Sequence, residues 1–337
     1  MTARPMRARA TPSPVPGGPM PAPGGPMPAG TVPGAMLTAT VPGPVPARLL
    51  ATDLDGTLVR SDGTISRRSC LALSAAEAAG MVVALVTGRP PRWMAPVAEA
   101  TGHTGIAVCA NGALLYDMHT EQIVAETLLD VATLQRVAAG LRDAVPGLLF
   151  AVEYGVDFGH EPGYVHGWAI GDVDVRVGPA EAILDRPAAK LLARHPTMAC
   201  DELLAVAVQV VGGEAAVTSS SHEALLEIAA PGVTKASALA DLASAAGVAA
   251  AEVVAFGDMP NDLPMLAWAG RAVAVANAHP EVLAAADEIT ASNDDDGVAV
   301  VVERLLGADA TPSSGAATRG GFGDGARPGR AADESAG

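Results

Sequence analysis

The stretch L-L-A-T-D-L-D-G-T, residues 49–57, decides how the chain is read. Leu49-Leu50-Ala51-Thr52 is a short run without polar alternation, which predicts a strand buried on both faces. It ends at Asp53, and Asp55 follows two residues later, before Gly56 and Thr57. Two carboxylates at the mouth of a buried strand repel each other and are costly to desolvate. They persist there best with a cation held between them. A polar turn with a helix-capping Asp explains one acid, but not a pair after an apolar run. A calcium loop of the EF-hand type is excluded. Counted from Asp53, Leu58 stands where that loop needs glycine and Thr64 where it needs glutamate.

Outward from this stretch, strand-like and helix-like runs alternate. Ser66 can cap a helix reaching Gly80, and residues 81–86 form an apolar strand ending at Thr87-Gly88-Arg89. Pro91 starts another helix, and 105–109 is a strand ending at Asn111-Gly112. Later come strands at 225–229, 253–256 and 272–276, with helices at 235–246, 263–268 and 297–306. This order predicts an α/β fold, a doubly wound, Rossmann-like parallel sheet with helices on both faces. The middle reads differently. A helical stretch at 131–144 precedes Gly-rich segments carrying Tyr154, Tyr164 and Trp168. It is expected to be an inserted α/β cap domain. The division is then a tail at 1–47, core at 48–129, cap at 130–212, core at 213–306 and a tail at 307–337.

Residues 1–47 hold 13 of the 27 prolines and repeat P-G-G-P-M-P-A at 16–22 and 23–29. Such a segment buries too little apolar surface to offset its ordering entropy, so disorder is expected. The Gly/Ala/Ser-rich residues 307–337 read the same way.

Ligands of open α/β sheets sit beyond the carboxyl ends of the strands. There the second strand delivers the Thr87 hydroxyl and the Gly88 N–H near a helix start, which suits an anionic oxygen. The chain uses 19 Arg and only two Lys, Lys190 and Lys235. Lys235 therefore suggests a site needing a compact point charge, although a surface Lys in a helix capped by Thr234 has the same spacing. The strand at 253–256 delivers Gly257-Asp258-Met259-Pro260-Asn261-Asp262. Acids that favour a helix N-terminus explain Asp262 better than Asp258.

Taken together, these pieces resemble the haloacid dehalogenase-like phosphohydrolases. L-A-T-D-L-D-G-T-L, V-T-G-R, A-N-G-A, G-V-T-K and G-D-M-P-N-D look like the Cof-type sugar-phosphatase branch. The resemblance covers roughly 48–306. It implies Asp53 as nucleophile, Asp55 as general acid and base, and Mg²⁺ held by Asp53, the Asp55 carbonyl and Asp258. It implies phosphate binding by Thr87, Gly88, Lys235 and Asn261, with Asp262 orienting Lys235. Arg89 and Asn111 are candidates to face the substrate, with structural roles equally open. The 148 residues between Thr87 and Lys235 place the cap where that branch carries one. Glu153, Tyr154, His160 and Tyr164 are cap residues that could read the leaving group or simply pack. The implied reaction is hydrolysis of a small phosphorylated metabolite through an aspartyl-phosphate. A phosphomutase of the phosphomannomutase type and a catalytically silent binding relative are the alternatives.

Charge narrows the partners. Residues 1–48 carry four Arg and no acid, and 307–337 carry three Arg against four acids. With the chain at −16, the residues between carry −19. So acidic a body disfavours nucleic acid and anionic membrane surfaces. No apolar run approaches the roughly 20 residues of a membrane span. A Pro/Gly tract stands where a signal peptide needs its apolar core, so the expected location is cytoplasmic. Cys70, Cys109 and Cys200 are isolated, without C-x-x-C spacing, and read as buried thiols in a reducing compartment. His160 and His166 lack a nearby third ligand, so no zinc site is assigned. Ser292-x-Asp294-x-Asp296-Gly297 nearly fits a calcium loop but follows a strand-like segment, so calcium is not expected there. Oligomeric state is not legible.

Overall fold

The computed structural model describes residues 46–165, 173–219 and 225–307. The expected tails, apart from their innermost residues, lie outside these, as do His166 and Trp168. The first part of the core supplies β1 (Leu49–Thr52), β2 (Val82–Val86), β3 (Ile106–Cys109), β4 (Leu114–Asp117) and β5 (Gln122–Glu126). The cap supplies β6 (Leu149–Glu153), β7 (Phe158–His160), β8 (Val175–Val177), β9 (Lys190–Arg194), β10 (Ala216–Thr218) and β11 (Leu225–Ala229). The chain returns to the core with β12 (Val253–Gly257), β13 (Arg271–Ala274) and β14 (Glu288–Ile289).

The core sheet runs β14-β13-β12-β1-β2-β3-β4-β5. Pairing is parallel from β14 to β3, and β4 and β5 are added antiparallel at one edge. Helices α1 (Arg67–Ala78) and α2 (Ala95–Thr101) follow β1 and β2. Helices α3 (Val131–Ala144), α4 (Ala180–Ile183) and α5 (Cys200–Val211) belong to the cap. Helices α6 (Lys235–Ala245), α7 (Leu263–Trp268), α8 (Pro280–Ala285) and α9 (Gly297–Leu305) complete the core. Alternation along β1 sorts its side chains into two layers. Leu50 clusters with Leu73 of α1 and Val301 of α9, while Leu49 and Ala51 cluster with Leu239, Met265 and Val282 of α6, α7 and α8. Both faces are buried, which is why the strand reads as one apolar run. Ser66 caps α1 as expected, its hydroxyl accepting from the Ser69 N–H at 2.9 Å.

The cap sheet runs β10-β11-β9-β6-β7-β8. Phe150, Val152, Leu191, Ala193, Leu226 and Ile228 pack with the apolar stripes of α3 and α5. The intervening positions point the other way, toward the core, and they include Glu153, Lys190 and Glu227. The sequence boundary at 212/213 is corrected here. Residues 216–218 and 225–229 complete the cap sheet, so the return to the core falls after Ala229. Leu225–Ala229 is buried throughout. Its composition therefore matches a core strand, and no local pattern says which sheet it joins.

Candidate active site

The core sheet winds from β1 through β2 to β3 in one direction and from β12 through β13 to β14 in the other. At such a switch point the flanking loops part and leave a crevice. Asp53 leaves β1 and Asp258 leaves β12, so both arrive at this crevice. The Asp53 N–H donates to the Phe256 carbonyl at 3.0 Å, prolonging the β1–β12 pairing.

Lys235, the first residue of α6, is 2% exposed. Its Nζ donates to Asp53 Oδ1 at 2.5 Å and to Asp262 Oδ1 at 2.6 Å. The turn before it is held by a capping box in which Thr234 Oγ1 accepts from the Ser237 N–H at 3.0 Å. Asp262 Oδ2 accepts from the Asp258 and Met259 N–H groups, each at 3.0 Å. It thereby shapes the loop that presents Asp258. Thr57 Oγ1 donates to Asp258 Oδ1 at 2.9 Å. Gly56 is required beside them. Its φ is +81°, and a Cβ there would lie 2.4 Å from Asp258 Oδ2.

Burial pushes the Asp53 carboxyl well above its usual range, partly countered by Lys235 and reinforced by Asp262 and Asp258. Burial and the charge of Asp262 push Asp258 up to about 6. Burial opposes charge on Lys235, but Asp262 and Asp53 together hold its ammonium above the ordinary lysine value. Three buried carboxylates thus face one ammonium, and the excess negative charge fits a divalent cation. One carboxylate oxygen each of Asp53, Asp258 and Asp262 falls within a 4.8 Å group. Asp262 is not a ligand in this arrangement, because Lys235 and two N–H groups occupy both its oxygens. Asp53 and Asp258 are the pair that could hold such a cation.

Thr87 is fully buried, and its hydroxyl accepts from the Arg89 N–H at 3.0 Å. Arg89 forks onto Asp55, with Nε donating to Oδ2 at 2.8 Å and Nη2 to Oδ1 at 2.5 Å. Asp55 is the exposed member of the group, its side chain 60% accessible. Asn111 is buried, donating through Nδ2 to Glu227 Oε2 at 2.9 Å and accepting from Asn261 Nδ2 at 3.2 Å. Among the described residues, Asn261 Oδ1 is buried with no hydrogen-bond partner. A cavity of about 480 Å³ adjoins Asn261, lined by Cys200, Asp201 and Thr218 from the cap and by Met259 and His279 from the core.

The cap residues singled out in the sequence are engaged elsewhere. Glu153 pairs with Arg92, and each side chain is 3% exposed. Tyr154 donates to the Ile183 carbonyl at 2.6 Å beneath the Arg186 guanidinium. His160 Nδ1 lies 2.9 Å from the Glu161 carbonyl, and Tyr164 is buried. The acidic loop near 294 braces the loop after Asp55. Asp294 accepts from the Ser61 N–H at 2.9 Å, and Asp296 pairs with Arg60 at 2.6 Å. Asn277 and Asn293, not noticed in the sequence, hold the Gly56 and Val59 carbonyls at 2.8 and 3.0 Å. Lys190 and Glu227 were also missed. Their signals were a rare Lys and one acid inside an apolar strand.

The sequence profile of the haloacid dehalogenase-like hydrolases matches residues 50–302. The chain belongs to that family. It is therefore an enzyme, a phosphoric monoester hydrolase of the Cof type. A putative phosphatase, YxeH, from Bacillus subtilis is 30% identical over 278 residues, covering 77% of this chain and 98% of the relative. The pyridoxal phosphate phosphatase YbhA of Escherichia coli is 30% identical over 75% of this chain and 96% of its own. Among solved structures, a haloacid dehalogenase-like hydrolase from Bacteroides thetaiotaomicron superposes with a TM-score of 0.64. It is 28% identical and covers 77% of this chain and 99% of its own. Among the described residues, no helix is long and apolar enough to cross a membrane.

Proposed function

We propose that the chain hydrolyses a small phosphomonoester, a sugar phosphate or related metabolite, through an aspartyl-phosphate on Asp53 with Mg²⁺ as cofactor. The observation that carries this reading is the placement of Asp53, buried at the switch point against Lys235 with Asp258 beside it. Asp53 and Asp258 would hold the ion through their carboxylates and Asp55 through its backbone carbonyl. Bound there, the metal offsets the charge that keeps an anionic nucleophile from an anionic phosphate.

The residues of the chain supply the rest. The Asp53 carboxylate attacks phosphorus as the ester P–O bond breaks, and Asp55 protonates the departing oxygen. Asp55 then takes a proton from water, which attacks phosphorus, releasing phosphate and regenerating Asp53. The Thr87 hydroxyl, the Gly88 N–H, Lys235 and Asn261 hold the phosphoryl oxygens as charge develops. An entering phosphate competes with Asp55 for Arg89, which opens the fork and frees Asp55 for proton transfer. Among the described residues, the cavity beside Asn261 is lined by no Lys or Arg and offers Thr218, Ser219, Asp201 and His279. That lining suits a hydroxylated, uncharged leaving group. The name of the Escherichia coli relative is consistent with a small phosphorylated metabolite.

The test compares Asp53→Asn with Asp55→Asn on an alkyl and an aryl phosphate. Asp53→Asn should fall to background on both. Asp55→Asn should slow the alkyl ester by about 10²–10⁴-fold. With the aryl ester, whose leaving group needs little protonation, phospho-Asp53 should accumulate and be seen by intact mass at low pH. Trapped intermediate in Asp53→Asn, or its absence in Asp55→Asn, would reverse or remove these roles.

A further inference from the structure

Both lysines of the chain are buried, and only one belongs to the site above. Lys190 opens β9 on the face of the cap sheet that meets the core. It is 3% exposed, and its Nζ donates to Glu227 Oε1 at 2.5 Å and to the Gly88 carbonyl at 2.8 Å. Gly88 is in the loop that follows Thr87. Glu227, on the neighbouring strand β11, accepts through its other oxygen from Asn111 Nδ2 at 2.9 Å. Asn111 Oδ1 in turn accepts from Asn261 Nδ2 at 3.2 Å. One continuous run of buried polar groups thus leaves the cap and ends on two separate parts of the phosphate-binding loops.

Stability does not explain this run. A buried ion pair is costly to desolvate, and apolar residues of similar volume are often as stabilising or more so. The backbone it holds is also unusual. Ala110 and Asn111 have φ of 51° and 57°, a left-handed conformation that non-glycine residues adopt at a cost. The Asn111 N–H donates to the Thr87 carbonyl at 3.0 Å, which joins this strained turn to the Thr87–Gly88 loop. A Cβ on Gly88 would sit 3.1 Å from Asn111 Oδ1 and 3.7 Å from Glu227 Oε1, so the loop fits closely against the network.

We infer that Lys190 and Glu227 are positioning residues for phosphoryl transfer, supplied by the cap and acting through Gly88, Asn111 and Asn261. Lys190 fixes the Gly88–Arg89 peptide, whose N–H donates to the Thr87 hydroxyl, and Glu227 fixes the amide of Asn111 and through it that of Asn261. The phosphoryl cradle is complete only when the cap is seated on the core, so cap position controls the chemical step as well as access. This inference rests on the phosphatase reading.

A second buried ion pair across the same interface, Arg92 with Glu153, supplies the control. It fastens the cap to the core, and the Arg92 guanidinium also donates to the Val156 carbonyl at 3.4 Å. The comparison is between Lys190→Met/Glu227→Met and Arg92→Met/Glu153→Met. Each is assayed with p-nitrophenyl phosphate and a hexose phosphate, with inhibition by orthovanadate, and by thermal melting. The first pair should lower kcat by about 10–100-fold on both substrates, as expected when groups that orient the reaction are released. It should weaken vanadate inhibition in parallel and leave the melting temperature within a few degrees of wild type. Glu227→Gln offers only one acceptor oxygen for Lys190 and Asn111. This isosteric variant should fall in between, and it carries the test if the double variant does not fold. The control pair should lose far less kcat. Four results would overturn the inference: unchanged kcat and vanadate inhibition in both Lys190→Met/Glu227→Met and Glu227→Gln, a loss confined to the hexose phosphate, an equal loss in the control pair, or inactive wild-type enzyme. The last would remove the phosphatase reading itself.

Discussion

Replacing Lys235 by Met isolates the electrostatic balance of the site. The methionine is close in volume, so the change removes a charge more than it opens a cavity. Lys235 is 2% exposed and sits 2.5 Å from Asp53 Oδ1 and 2.6 Å from Asp262 Oδ1. Without it, Asp53 and Asp262 face each other and Asp258, and the Arg89 guanidinium, already engaged by Asp55, is the cation left near Asp53. Removing one partner of a buried pair costs about 3–5 kcal/mol, because the other charge is left uncompensated. For a domain of this size that is a fall in Tm of about 6–20 °C. The assay is thermal melting by circular dichroism in chelator, so that no metal supplies the missing charge. Lys235→Met/Asp262→Asn provides the internal check. Asparagine keeps a carbonyl oxygen for the Asp258 and Met259 N–H groups while deleting one stranded charge, so about half the lost stability should return. Activity should not return. Both variants should lose about 10²–10³-fold in kcat, the range for deleting one donor to developing charge. A Tm within about 2 °C of wild type for Lys235→Met would refute the charge argument. Near-normal turnover would refute its place in the reaction.

Chelation should abolish activity and Mg²⁺ should restore it, with Asp258→Asn needing far more Mg²⁺ in a titration of rate against metal. Undiminished turnover in chelator would remove the assigned ligands. Gly56→Ala forces a methyl group to within 2.4 Å of Asp258 Oδ2 at a φ of +81°, so the Asp258 carboxylate must shift. The Mg²⁺ concentration for half-maximal rate should rise about 10–100-fold, the scale for disturbing a group that orients a ligand. Glu288, between Arg304 and Arg271, has its carboxyl lowered against the effect of burial. A lowered acid stabilises above its unfolded pKa, and that contribution is lost as pH falls through its folded value. Tm should therefore drop less steeply between pH 5 and 3 in Glu288→Gln than in wild type. Cys109, pushed up to about 12 by burial, should resist iodoacetamide at pH 8 in the folded enzyme while the denatured chain reacts fully.

The sequence by itself determined the core strands that carry the site and where they end. Asp53, Thr87 and Asp258 each follow an apolar run directly, and chain polarity in a parallel sheet brings every such end to one side. Residues close in sequence also announce their turns, as Ser66 and Thr234 do before α1 and α6. The tertiary structure alone decided which sheet an apolar strand joins. Leu225–Ala229 reads like a core strand yet pairs with β9 in the cap, because burial on both faces erases the alternation that would distinguish them. It alone decided the partners of charged side chains. Arg89 turned to Asp55, 34 residues away, and Glu153 to Arg92, 61 residues away. Glu227 joined Lys190 at a separation of 37 residues and Asn111 at 116. A hydrogen bond has no period and leaves no pattern along the chain. Its partners are chosen by which strands pair within a sheet and by where the cap meets the core, and those neighbours exist only after packing.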